Sequence, residues 1–296
     1  MAIFLQMLVS GLVLGAIYAI MTVGLSLVYG SLRTLNMAQG AYVMIGGYTA
    51  VILFAQFGFG PWIGLVAAAL VASVIGIATE FFAVRPLVGR KDIRDFSMTA
   101  CMATIAVNII LVAGALLLFG PQSKTLPPLV SGGFTLPGGV LITWQSLMVL
   151  VISLVALGAL SWFLNITRHG LSVRAVAQEL DAARLVGVKT RRVYVVTMAI
   201  AAGLAGIAGV LLGPLYFVSP TSGAVPMTMG LTVAILAGIG SVRGVVYGAL
   251  LIGLVQSLSA TYVSSGQSLT IVFGIIMVIL IVRPNGLFGL QQEERL

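Results

Sequence analysis

"FLQMLVSGLVLGAIYAIMTVGLSLVYG", residues 4–30, runs for twenty-seven positions without one Asp, Glu, Lys, Arg or His. A helix rises ~1.5 Å per residue, so about 20 residues cross the ~30 Å hydrocarbon core of a bilayer. This run is long enough to cross. The pattern recurs near 35–57, 61–84, 97–119, 144–167, 193–216, 226–242, 245–263 and 269–282. The runs are continuous rather than alternating, which favours helices over barrel strands. They predict an all-α integral membrane protein, a polytopic bundle of about eight to nine transmembrane helices forming one domain over residues 1–296.

Composition agrees. The chain is 60% hydrophobic and 7% charged, where a soluble domain carries roughly 25% charged residues. Its mean hydropathy is +1.17. The 36 glycines suit membrane helices whose backbones approach closely. The first run lacks a basic leader and a small-residue cleavage site, so it reads as a retained span. The single cysteine, Cys101, permits no internal disulfide. The net charge of +8 does not point to nucleic acid, because the basic residues fall between apolar runs.

Those charges set a topology. Residues 85–95 hold four basic residues and 168–192 hold six, whereas 120–143 hold only Lys124. Basic loops stay cytoplasmic. This places the N-terminus outside, the C-terminus in the cytoplasm, and fourteen of the fifteen Lys and Arg residues inside. The run at 226–242 is short for a crossing and is read as one because a re-entrant hairpin would put Arg283 outside. "TVGLSLVYGSLR" (22–33) and "TVAILAGIGSVR" (232–243) share Thr, Val, Gly, Ser and Arg at an offset of 210 residues, which raises an internal repeat.

The spans carry almost no ionisable group. Glu80 reads as an interfacial carboxylate reaching the 85–94 basic cluster, and His169 as an interfacial residue. No metal-ligand cluster, paired-carboxylate site, nucleophile–base set or phosphate-binding loop is present. The expectation is no catalytic residue, no metal, no cofactor and no ATPase site in this chain. A proton-coupled carrier usually keeps an ionisable residue in the membrane, which weighs against a self-sufficient channel or secondary carrier, the alternative class.

One island departs from this poverty. "ELDAARLVGVKTRRV" (179–193) carries six charges. Residues 172–186 suit a single helix, with Ser172 as its cap and Gly187 as its stop. Val173, Val176, Ala177, Leu180, Ala183 and Leu185 form its apolar stripe. Physics alone leaves two readings, a ridge for a partner protein or an interfacial helix held by anionic lipid.

"DAARLVG" (181–187) resembles the Glu-Ala-Ala-x-x-x-Gly signature of ABC-importer permeases, with Asp181 in place of Glu. "LNMAQGAYVMIGGY" (35–48), "AIAAGLAGIAGVLLGPLYFVSP" (199–220), "GLTVAILAGIGSVRGVVYGALLIG" (230–253) and "RPNGLFG" (283–289) look like the branched-chain amino-acid permease family of such importers, in its shorter type. The resemblance implies a multi-pass permease of a prokaryotic cytoplasmic (inner) membrane. It implies a second permease subunit, two ATP-binding subunits that hydrolyse the ATP, and a periplasmic or extracellular substrate-binding protein. It makes 168–192 the cytoplasmic coupling segment. Glu179, Asp181, Ala182, Ala183, Arg184, Gly187 and Lys189 would then meet the ATPase, with the two alanines allowing close approach.

The stretch 34–47 is the most polar part of an apolar span. Asn36, Gln39, Gly40, Gly46 and Gly47 are read as candidates for the substrate pathway, Asn36 also as a helix cap. Relatives often read Asn-x-Ala-His-Gly-Glu here. This chain has Gln39 for the His and Ala41 for the Glu, so a carboxylate that would attract a substrate ammonium is missing. The implied cargo is a branched-chain or hydrophobic amino acid or a related small solute such as urea, a short amide or a carboxylate. Gly203, Gly206, Gly209 and Gly213 form a small-residue seam, suited to another helix or to the contact between permease subunits.

Overall fold

The computed structural model describes residues 2–88, 93–136, 140–238, 240–263, 266–283 and 286–287. Arg90, Lys91, Arg295 and much of 283–289 lie outside the described residues, as do the side chains of Arg94 and Arg243. Among the described residues, eleven α-helices follow one another. They are α1 (Ala2–Leu32), α2 (Gln39–Phe57), α3 (Pro61–Thr79), α4 (Ile93–Phe119), α5 (Trp144–Ile166), α6 (Arg168–Gln178), α7 (Leu180–Leu185), α8 (Thr190–Leu212), α9 (Ala224–Ala237), α10 (Val242–Tyr262) and α11 (Ser268–Val282). Their boundaries follow local chemistry. Gly58, at φ 64°, ends α2 in the left-handed conformation that glycine adopts without cost, and Pro61 opens α3 at a position needing no amide hydrogen. The Thr143 hydroxyl accepts the N–H of Ser146 and caps α5.

Among the described residues, seven helices are long and apolar enough to cross a membrane. Two more, α9 and α11, are apolar but only 14 and 15 residues long. The loop expected at 120–143 contains a small antiparallel hairpin, β1 (Gly133–Leu136) and β2 (Val140–Thr143), with Gly133 opposite Thr143. The all-α expectation is corrected to that extent. Strands form there because the loop lies outside the apolar spans and its backbone pairs with itself.

The bundle is layered around α8, which packs on α1, α2 and α3, while α10 lies along α1. α8 is 72% buried within the chain and α4 only 11%, so α8 is the core and α4 presents its surface to lipid or a partner. Glycines let these backbones meet. A Cβ on Gly46 would collide with the carbonyl of Gly206, and one on Gly209 with that of Val43. Gly203 and Gly206 press on α3 at Ala69, Ser73 and Ala68. The 203–213 seam thus serves helices of the same chain, because α8 is already surrounded, and is not a free face for a second subunit.

Two elements begin inside the bundle. The Gln39 side chain, at the start of α2, reaches the middle of α1 and of α8. The chain from 213 to 223 folds back beside α2, with Val218 against Gly47 and Gly223 against Gly40. α9 therefore starts near mid-depth. It then follows the second half of α1, with Gly230 beside Met21 and Gly240 beside Tyr29. This explains its length: the segment read as a short crossing is a half-length helix reached by an extended entry. It also separates the two stretches read as a repeat. Gly30 and Ser31 lie inside α1, whereas α9 stops before Gly238 (φ 87°), and Ser241 caps α10 by accepting the Gly244 N–H.

Glu80 also departs from expectation. α3 continues as a π-helical turn, Glu80–Val84, which rotates the carboxylate inward. Glu80 is 1% exposed, and neither oxygen has a hydrogen-bond partner among the described residues.

Candidate functional site

The charged island is two helices, not one over 172–186. The Thr167 hydroxyl, rather than Ser172, caps α6 by accepting the Gly170 N–H at 3.0 Å; the Ser172 hydroxyl instead donates back to the Arg168 carbonyl. α6 buries Val173 and Val176. At Glu179 the backbone turns extended (φ −149°, ψ 111°). The reason is tertiary: the Arg33 guanidinium, from the end of α1, donates to the Ala177 carbonyl at 3.0 Å. In an unbroken helix that carbonyl would accept the amide four residues on. α7 then ends as expected at Gly187, whose φ of 82° favours glycine, while the Val188 N–H returns to the Ala183 carbonyl.

Of the residues assigned to ATPase contact, Glu179, Asp181, Ala182, Arg184, Gly187 and Lys189 are exposed. Ala183 is buried and packs within the chain, so it offers a partner no close approach; that expectation is corrected. Arg184 and Asp181 form an exposed ion pair at 3.3 Å. Between them and the basic run stands an apolar ridge that sequence reading underweighted. Leu185 is 89% exposed and Val186 78%.

The pathway candidates divide. Asn36 accepts the Ala38 N–H through its side-chain carbonyl at 3.1 Å and donates to the Met198 sulfur at 3.6 Å. Thr104 of α4 holds the same loop by accepting the Met37 N–H at 3.1 Å. Gln39 is fully buried and donates to the carbonyls of Met21 (3.2 Å) and Ala201 (3.0 Å), tying α2 to α1 and α8. Asn36, Gln39, Gly40 and Gly46 are thus held in helix contacts, because a buried amide takes whatever backbone partners packing supplies. Gly47 lines the cavity described next.

That cavity, of about 910 Å³, lies at the end of the bundle away from segment 168–192. One wall is the first half of α1, with Gln6, Ser10 and Tyr18. Packed beside it is the second half of α10, with Gln256, Ser257 and Thr261. Val225 and Pro226 in the first turn of α9 form the floor, and Leu141 of the hairpin stands at the rim. The Gln6 side chain accepts the Leu141 N–H at 3.1 Å and so ties hairpin to wall. Ser257 donates to the Met7 carbonyl at 2.9 Å. Tyr18 and Gln256 both line the cavity, and the Gln256 Oε1 has no hydrogen-bond partner among the described residues. No Asp, Glu, Lys, Arg or His is among the described lining residues. Sequence reading missed this site, although one signal was present: uncharged polar residues recur at helical spacing (6 and 10, 257 and 261) within apolar spans.

Residues 7–282 match the family described as "Branched-chain amino acid transport system / permease component". The chain belongs to this family. It is 32% identical, over 99% of its length and 97% of theirs, to the high-affinity branched-chain amino acid transport system permease protein LivH of Escherichia coli (strain K12). Similarity extends to BraD of Pseudomonas aeruginosa, at 31% identity over 99% and 98% of the two chains. It reaches a probable branched-chain amino acid transport permease of Methanocaldococcus jannaschii, at 25% over 93% and 89%. PsaBC from Streptococcus pneumoniae in complex with Fab aligns at a TM-score of 0.45 and 13% identity, covering 96% and 91% of the chains, a likeness too slight to build on. As a family member the protein is an ABC-transporter permease, a multi-pass protein of a prokaryotic cytoplasmic (inner) membrane.

Proposed function

We propose that this permease is the membrane-spanning subunit of an ATP-driven importer for branched-chain or hydrophobic amino acids or a related small solute. The basic end, with segment 168–192, faces the cytoplasm and two ATP-binding subunits; a second permease subunit, of the same or a related chain, completes the membrane unit. An external substrate-binding protein delivers cargo to the opposite end. The observation that carries this reading is the placement of the cavity. It lies at the end away from the basic segment, reaches mid-depth, and is floored by α9. A solute entering there has only the α9 half of the path to clear, and closure of the ATPase subunits on the exposed segment would move the helices that frame it. ATP supplies the energy from those partners, and this chain contributes two access states.

The test is purification from native membranes in lipid nanodiscs. The expected result is a complex with a second permease and two ATP-binding subunits, whose ATPase activity rises when the binding protein is added. A chain that purifies alone and moves leucine into liposomes without ATP would overturn the proposal.

A further inference from the structure

A second cavity, of about 320 Å³, lies at the basic end of the chain, between the start of α6, the Gly187 turn and the start of α8. Three cations and a histidine line it: Arg168 and His169 from the first turn of α6, Lys189 just before α8, and Arg192 in the first turn of α8. No Asp or Glu is among its described lining residues. The one ion pair among the described residues, Arg184 with Asp181, leaves all three cations without an acidic partner. The backbone sharpens the imbalance. A helix N-terminus carries partial positive charge and disfavours cations. Here the cations gather at two such ends, and α8 has neither a side-chain cap nor an acidic residue in its first turn. Like charges held together without a counter-ion repel, so an anion entering this cavity relieves both costs.

Place and shape decide which anion. The spanning helix α5 ends at Ile166, two residues before Arg168. Ile166 is 69% exposed and Trp162, one turn earlier, 59%. Side chains this apolar and exposed in a spanning helix belong at lipid depth, with tryptophan typical of its boundary, so the basic rim lies at the level of the headgroups. Basic pockets between membrane helices on the cytoplasmic side suit anionic headgroups. Behind the rim the cavity is apolar, with Val173 and Val193 buried in its lining. Free phosphate gains nothing from those valines, whereas a phosphodiester joined to glycerol presents charge to the rim and carbon to the floor. The volume is at the low end for small-molecule sites, roughly 300–1,000 Å³, and suits a headgroup whose acyl chains stay outside. A zwitterionic headgroup would bring an ammonium among three cations, with no carboxylate in the lining to receive it.

We infer that this cavity binds the phosphodiester headgroup of an anionic phospholipid of the cytoplasmic leaflet, held by Arg168, His169, Lys189 and Arg192. Leu185 of the apolar ridge is outside the lining, so segment 168–192 holds a lipid and docks a protein together. The inference rests on the importer reading for the leaflet and not for the chemistry.

The test is native mass spectrometry of the purified complex, delipidated in detergent and titrated with dioleoylphosphatidylglycerol or dioleoylphosphatidylcholine. The expected result is a preference for phosphatidylglycerol that this cavity accounts for. Arg168→Gln with Arg192→Gln should lose one tightly bound phosphatidylglycerol per copy of this chain, its affinity falling about twenty-fivefold, or about fivefold for each cation removed. Arg192→Gln alone should show the fivefold loss, which keeps the test decisive if the double variant does not assemble. Arg174→Gln removes an exposed cation of α6 outside the lining and should leave binding unchanged. Equal binding of the two lipids, or equal effects of Arg174→Gln and Arg192→Gln, would overturn the inference. Displacement of the lipid by excess inorganic phosphate would also overturn it, by making the cavity a site for soluble phosphate. Loss of ATP-binding subunits from Arg192→Gln with the lipid count unchanged would overturn it in favour of an acidic side chain of a partner. A chain that purifies without ATP-binding subunits yet shows the expected lipid pattern overturns only the importer reading.

Discussion

Replacing Leu185 and Val186 together by alanine tests whether segment 168–192 docks a protein. Both side chains project from the end of α7, 89% and 78% exposed, so neither contributes to the chain's own core. The double substitution removes five carbon atoms. At about 0.8 kcal/mol per buried methylene, complete burial in a partner's cleft would make the loss about 4 kcal/mol, and half-burial about 2 kcal/mol. The smaller figure corresponds to roughly thirtyfold weaker binding at each docking site. The measurement is a titration of the ATP-binding subunit, isolated from the wild-type complex, onto nanodisc-held permease of either sequence. The expected outcome is an increase in Kd of that order with no change in the permease's unfolding temperature. Unchanged affinity would refute the docking role and leave α7 as an interfacial helix. A drop in thermal stability would show instead that the ridge is buried against the chain's own helices.

Three further outcomes are expected. In a Cys101→Ser background, intact cells treated with an impermeant reagent should label Lys124→Cys and not Lys189→Cys, and the reverse pattern would invert the topology. Gly46→Ala should destabilise the protein by about 1–3 kcal/mol, because its Cβ meets the Gly206 backbone; Gly47→Ala, facing the yielding Val218 side chain at 3.1 Å, should leave the unfolding temperature nearly unchanged. Glu80→Gln should hold or raise that temperature, since the carboxylate is buried without a hydrogen-bond partner and the Arg191 charge in the same cleft offsets only part of that cost; a clear loss of stability would mean that Arg191 compensates the carboxylate in full.

The exposed face of α7 was legible because charge is expensive in lipid: a run with six charged residues in a chain this apolar had to lie outside the membrane. The buried role of Ala183 was not legible, since alanine suits a cleft in a partner and a contact within its own chain equally well. Of the residues read as pathway candidates, only Gly47 lines the cavity. Asn36 and Gln39 stood out as polar residues in an apolar span, but polarity alone does not tell a lining group from one hydrogen-bonded between helices. Tyr18 and Gln256, 238 positions apart, carried no local signal of lining one cavity.

By itself, the sequence determined the membrane class, the positions of the long helices and the segregation of positive charge, because hydrophobic length and charge are properties of consecutive residues weighed against one solvent. Tertiary structure decided the rest. It broke the island at Glu179 by bringing Arg33 to the Ala177 carbonyl, turned 226–242 into a half-helix by pressing Gly223 onto Gly40, and assembled a cavity from α1, α9 and α10. Each of those outcomes depends on a contact between residues far apart in the chain, and the energies of such contacts are set only once the backbones have met.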